Sequence, residues 1–153
     1  MKACAFTGHR DIPAADLDKV TAWLRATVHT LVEEGVTHFI SGGARGFDLL
    51  AAEAVSLERQ TSPLITLEIA VPCPNQTRGW SPEDVYRYER MLLLADEKTV
   101  LSDHYFRGCM QARNRYMIDH ADICVAYITK ETGGTAYTVN YAEKKGKQII
   151  RFE

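Results

Sequence analysis

The sequence lacks the short signatures that fix a protein's chemistry at a glance. Its cysteines, Cys4, Cys73, Cys109 and Cys124, form no C-x-x-C pair and stand at no zinc-ligand spacing from a histidine, so no metal or other cofactor is expected. No apolar run approaches the ~20 residues of a membrane-spanning helix. No basic segment followed by an apolar stretch opens the chain, and with free thiols a reducing cytoplasm is the expected location, with no membrane partner. Neither G-x-G-x-x-G nor G-x-x-x-x-G-K-[ST] occurs, since Ser41 stands where a first glycine would be needed, which sets aside dinucleotide dehydrogenases and P-loop NTPases. Charge of one sign is also missing. Lys and Arg number 18 against 20 Asp and Glu, a formal −2, and the pI near 6.2 gives no global field towards nucleic acid or anionic lipid. No repeat, linker or low-complexity stretch interrupts the 153 residues, and 46% hydrophobic residues suffice for one sizeable core. A single domain over 1–153 is expected.

What is present is a regular alternation of short apolar runs and amphipathic stretches. Lys2 to Thr7 reads as a first buried strand, and Leu17, Val20, Leu24, Val28 and Leu31 form the apolar stripe of a helix that Gly35 closes. Val36 to Ile40 is a second strand, a glycine loop follows, and a helix runs from Phe47 to about Arg59. Leu64 to Val71 makes a third strand, stopped by Pro72 and Pro74. Ser81-Pro82-Glu83-Asp84 carries the N-cap serine, N1 proline and early carboxylates of a helix start, with Val85, Tyr88, Leu92 and Ala95 on one face. Lys98 to Leu101, Met110 to His120 and Asp122 to Ile128 read as strand, helix and strand. Gly133-Gly134-Thr135 opens a last helix, and Gln148 to Phe152 is a sixth strand. This order predicts an α/β, Rossmann-like fold: a mainly parallel sheet of six strands covered on both faces, a three-layer α/β/α sandwich.

In such sheets ligands lie outside the carboxyl ends of the strands. The loops placed there are Thr7-Gly8-His9-Arg10, Ser41-Gly42-Gly43-Ala44-Arg45-Gly46 with Asp48 just beyond, Pro72 to Trp80, and Thr132 to Thr135. Glycines let backbone N–H groups approach an anion, and a helix start offers it a positive dipole end. Arg10 and Arg45 can add charge-assisted bonds to phosphate. Two glycine loops suit a nucleotide, although either alone is as readily a tight turn. Asp48 is placed to bond a ribose hydroxyl or simply to compensate its helix dipole. On the helix after residue 110, Arg113 and Asn114 are chosen as the inward-facing residues. His9 could serve as a general acid, but a loop histidine is more often a hydrogen-bonding group. Trp80 and Tyr88 are candidates to stack on a base or to fill the core.

The strings Cys4-Ala5-Phe6-Thr7-Gly8-His9-Arg10, Ser41-Gly42-Gly43-Ala44-Arg45-Gly46-Phe47-Asp48, Arg113-Asn114-Arg115-Tyr116-Met117-Ile118-Asp119 and Gly133-Gly134-Thr135 resemble the YpsA family in order along almost the whole chain. Pro72, Gln76, Trp80 and Asp84-Val85-Tyr86-Arg87-Tyr88 fit the same pattern. That family belongs to the SLOG group of Rossmann-like domains, with the LOG phosphoribohydrolases and the DNA-processing protein DprA. The resemblance implies a nucleotide-derived ligand, adds Gln76 to the ligand-binding set, and makes a homodimer the expected assembly. LOG enzymes carry P-G-G-x-G-T-x-x-E; here Thr138 falls where the acid would be, so an N-glycosidase would need Asp48 or Glu143 in its place. The likeness to DprA, through Ser41 to Asp48, implies single-stranded nucleic acid as a less favoured partner, and an interaction scaffold stays open. Binding or sensing of a nucleotide is the leading expectation.

Overall fold

The computed structural model describes residues 2–153. Six strands alternate with five helices: β1 (Lys2–Gly8), α1 (Ala14–Glu33), β2 (Val36–Ser41), α2 (Phe47–Arg59), β3 (Thr66–Val71), α3 (Pro82–Leu94), β4 (Glu97–Val100), α4 (Cys109–Asp119), β5 (Ile123–Tyr127), α5 (Gly134–Lys144) and β6 (Gln148–Arg151). All strand pairs are parallel, in the order β4-β3-β2-β1-β5-β6. The α/β, Rossmann-like expectation is met.

Strand order places the helices. Parallel crossovers are right-handed, so connections running one way across the sheet lie on one face and those running back lie on the other. From β1 to β4 the chain moves outward, and α1, α2 and α3 pack Val20, Leu24, Phe47, Leu49, Tyr88 and Met91 into one core layer with Phe6 and Phe39. The return through α4 and α5 packs Met117, Ile118, Val139 and Ala142 against Ala5, Ile40 and Cys124 on the opposite face. Central strands are covered on both sides, which is why β1 and β5 read as unbroken apolar runs.

Two sequence expectations shift. Leu17, assigned to the buried stripe of α1, is 42% exposed. It lies in the first turn on a surface groove beside Ile12 and Leu50, and the buried stripe begins at Val20. Leu64 is 89% exposed in a turn, and β3 starts at Thr66, where pairing with His38 begins. Ser81 caps α3 as its sequence requires, its Oγ accepting from the Asp84 N–H at 3.2 Å. All four cysteines are buried free thiols, with Cys73 and Cys109 Sγ atoms 3.7 Å apart. Among the described residues no helix is long and apolar enough to cross a membrane.

Candidate functional site

The strand order has one reversal, between β1 and β5: the chain leaves β1 towards β2 and later returns to β1's other side. Loops diverge at such a switch point and leave a crevice. Here it is a cleft of about 230 Å³. Thr7, Gly8, His9 and Arg10 enter from β1, Ala44 and Asp48 from the β2–α2 connection, Met110, Gln111, Arg113 and Asn114 from α4, and Gly134 and Thr135 from the start of α5.

Each wall has a local cause. Gly8 touches the first residue of α2, and a Cβ there would lie 2.3 Å from the Phe47 ring, so only glycine lets β1 end against that helix. His9 bridges the two sides of the reversal: its Nε2 accepts the Thr129 N–H at 2.8 Å. That bond requires a neutral ring with its proton on Nδ1. Burial and then Lys130 lower the His9 pKa in keeping with it.

The α4 and α5 N-termini at the cleft differ from the other helix starts in charge. A helix start leaves N–H groups without intrahelical partners and carries partial positive charge. In α1, α2 and α3 the first turn contains Asp16, Asp48, or Glu83 and Asp84. By contrast α4 and α5 have no acidic residue in the first turn; like α1 and α2 they lack a side-chain cap, and like α2 they begin on a positive-φ glycine, here Gly108 and Gly133. These two bare N-termini meet at the cleft, together with the Arg10 side chain.

Asp48 is the single carboxylate of the lining. It is 7% exposed, and its Oδ1 is buried with no hydrogen-bond partner. Burial pushes its pKa up to about 6, against the opposing pull of Arg113 and Arg10 and a backbone hydrogen bond from Ala44. A group poised between charge states beside open cationic donors can accept from a ligand hydroxyl or exchange a proton.

The remaining predicted residues shape the site from behind. Ser41 Oγ donates to the Asp48 carbonyl at 2.7 Å and accepts from the Gly43 N–H at 3.1 Å, folding the glycine loop back on α2. Gly42 offers its carbonyl to Arg113 Nη1 at 2.8 Å and to Gln76 Nε2 at 3.2 Å. Gly42, Gly43, Ser41 and Gln76 therefore do not line the cleft; nor does Gly133, the N-cap of α5. Arg45 also lies outside it, with Nη1 held by Asp11 Oδ1 at 2.6 Å. Arg113 and Asn114 do face inward, but Arg113 is 2% exposed and its Nη1 also reaches the Ala70 carbonyl and Gln76 Oε1. Trp80 and Tyr88 pack edge to face on each other, centroids 5.6 Å apart, rather than on the cleft.

Met110 and Gln111 escaped the sequence reading. Their signal was available, because residues three apart share a helix face and these lie one turn before Arg113 and Asn114. A second missed feature sits at the opposite, amino end of the strands. Thr66 donates to the Thr37 carbonyl, so its Oγ1 accepts from His38 Nδ1, and His38 Nε2 then donates to Glu68 Oε1 at 2.7 Å. Burial acts to raise the Glu68 pKa, but hydrogen bonds from His38, Tyr116 and Thr99 together hold it at about 2. With Glu97 this is the cluster among the described residues whose donor atoms lie within 4.8 Å of one another, the spacing a metal ion would need. Glu68 already accepts from three partners there, so the residues form a complete buried ion pair as they stand.

A Rossmann-like protein with a cleft at its topological switch point, walled by Arg10 and two helix N-termini, is thus defined by fold and geometry. The family model described as the YspA SLOG family matches residues 7–151, and the chain belongs to this YpsA family. It is 34% identical over 143 residues to the uncharacterized SPbeta prophage-derived protein YoqJ of Bacillus subtilis, covering 84% of each chain. DNA processing protein A from Helicobacter pylori, described for its single-stranded DNA binding mode, has a similar fold at TM-score 0.67 and 19% identity, over 98% of this chain and 64% of that one. DNA processing protein A from Streptococcus pneumoniae matches at TM-score 0.66 and 15% identity, over 99% of this chain and 50% of that one.

Proposed function

We propose that this protein binds a nucleotide or nucleotide-derived phosphate ester in the cleft between β1 and β5. The observation that carries the reading is the meeting of two uncapped, acid-free helix N-termini with Arg10 in one crevice. Gly134 and Thr135 supply backbone donors, Arg10 supplies charge, and Asp48 supplies the acceptor for a hydroxyl. Arg45, held by Asp11, takes no part. Calorimetric titration with 5′-mononucleotides and ADP-ribose tests this. Arg10→Ala is expected to weaken binding about tenfold or more, since a charge-assisted bond contributes about 1.5–3 kcal/mol. Arg45→Ala is expected to bind as the unmodified chain does. No heat with any nucleotide, from folded protein, would overturn the proposal.

Single-stranded nucleic acid is the second reading, favoured by the fold shared with the H. pylori protein. Its mark is a steep fall of affinity with salt, and the pI near 6.2 weighs towards the small ligand. Cleavage of an N-glycosidic bond would fall to Asp48, because Glu143 lies near the far end of α5, paired with Arg151 at 2.8 Å. Release of free base from mononucleotides would reveal it. A homodimer belongs to the same proposal, supported by Val100 and Tyr105 exposed at and beyond the β4 edge, and sedimentation measures it.

A further inference from the structure

Granting that the cleft takes a nucleotide, we infer that it reads the ribose 5-phosphate end and leaves the base unrecognised. Size is the first argument. The cleft holds about 230 Å³, whereas pockets that enclose a whole drug-sized ligand run to about 300–1,000 Å³. A ribose phosphate fits inside such a volume and a base is left at the rim.

The chemistry of the walls gives the second argument. Proteins recognise a base by stacking on its π-face or by matching the donors and acceptors of its edge. Among the lining residues the sole aromatic ring is His9, and it is already engaged. Its Nε2 accepts from Thr129, and its ring packs edge to face on Tyr127 at 5.6 Å. The aromatic pair best suited to stacking, Trp80 and Tyr88, is turned onto itself, with Tyr88 buried. Apolar lining is confined to Met110 and Ala44 with the Gly8 backbone, too little to sandwich a ring.

What the walls offer instead is a sugar phosphate's complement. The α4 and α5 N-termini and Arg10 suit a dianion. Asp48 repels that dianion and accepts hydrogen bonds, so it marks the place of hydroxyl donors. Its buried, unpartnered Oδ1 is the atom a vicinal diol satisfies.

Titration at constant ionic strength separates the possibilities, using ribose 5-phosphate, 2-deoxyribose 5-phosphate, inorganic phosphate and the four 5′-ribonucleotides as probes. Ribose 5-phosphate is expected to bind within about fivefold of every nucleotide, and 2-deoxyribose 5-phosphate and inorganic phosphate at least about tenfold more weakly, because a site built for a hydroxyl rejects the analogue lacking it. In Asp48→Asn the gap between ribose and deoxyribose is expected to narrow; if that variant fails to fold, the ribose-to-deoxyribose comparison on the unmodified chain decides. Nucleotides that bind while ribose 5-phosphate does not, or a spread above about tenfold among the bases, overturns the inference and leaves nucleotide binding standing. Equal affinity for ribose and deoxyribose phosphates also overturns it. Failure of every probe removes nucleotide binding itself.

Discussion

Asp48 and Arg113 show how a residue's written charge can mislead. Aspartate and arginine are residue types mostly found exposed, and both are buried here. The Asp48 pKa of about 6 lies above that of an unfolded aspartate near 3.9, so ionising it opposes folding. Its contribution to stability is complete below about pH 4 and is lost as pH rises through about 6, a change on the order of 3 kcal/mol. Asp48→Asn is therefore expected to gain stability relative to the unmodified chain between pH 4 and pH 7, read from urea unfolding at each pH. Parallel curves would show that the carboxyl is not desolvated. Arg113 joins the Gly42 and Ala70 carbonyls and Gln76. Arg113→Met removes the donor those buried acceptors share, leaving Gly42 only its bond from Gln76, and is expected to cost about 2–4 kcal/mol in the same assay. The sequence pointed Arg113 inward but not to the carbonyls and amide that engage it, because these come from positions 37 or more residues away.

Elements were far easier to read than partners. Helix and strand patterns are local, and the Ser81-Pro82-Glu83-Asp84 start, the Gly46–Phe47 junction and the last helix all fall where the residues put them. Ser81→Ala is expected to lose about 1 kcal/mol, the usual worth of an N-cap, as a shift in the urea midpoint. Starts governed by tertiary packing were harder: Leu64 has strand chemistry, but pairing with β2 begins at Thr66. Gly46 has φ 84°, and a Cβ there would sit 2.1 Å from the Arg10 carbonyl oxygen. Gly46→Ala is expected to cost about 3 kcal/mol, lowering Tm by about 6–12 °C in calorimetry. An unchanged Tm would mean that the turn carries no such constraint. Because the contact is with Arg10, phosphate binding is expected to weaken too.

At the scale of the whole molecule, the reversal of strand order creates the cleft, and no residue signals it. Sequence patterns placed four loops at the carboxyl ends of strands, yet only adjacency of β1 and β5 decides that Thr7 to Arg10 meet Gly134 and Thr135. Of the glycine loop after β2, the most conspicuous motif, only Ala44 reaches the cleft lining, while Ser41, Gly42 and Gly43 lie behind it. Overall charge, at −2, leaves attraction to local donors. Nucleotide affinity is accordingly expected to fall only gently with added salt, where a bound single strand would lose it steeply, and titration from 50 to 200 mM salt distinguishes them.

The central place of β1 also governs synthesis. A ribosome delivers Lys2–Gly8 before the other strands of the sheet, but one of its two neighbours, β5, emerges only with residues 123–127. For most of translation an apolar strand that ends in the middle of the sheet keeps a bare edge, open to pairing with other nascent chains. β5 thus acts as the shield of Lys2–Gly8, and any interruption of the chain between them leaves an apolar strand with an unpaired edge.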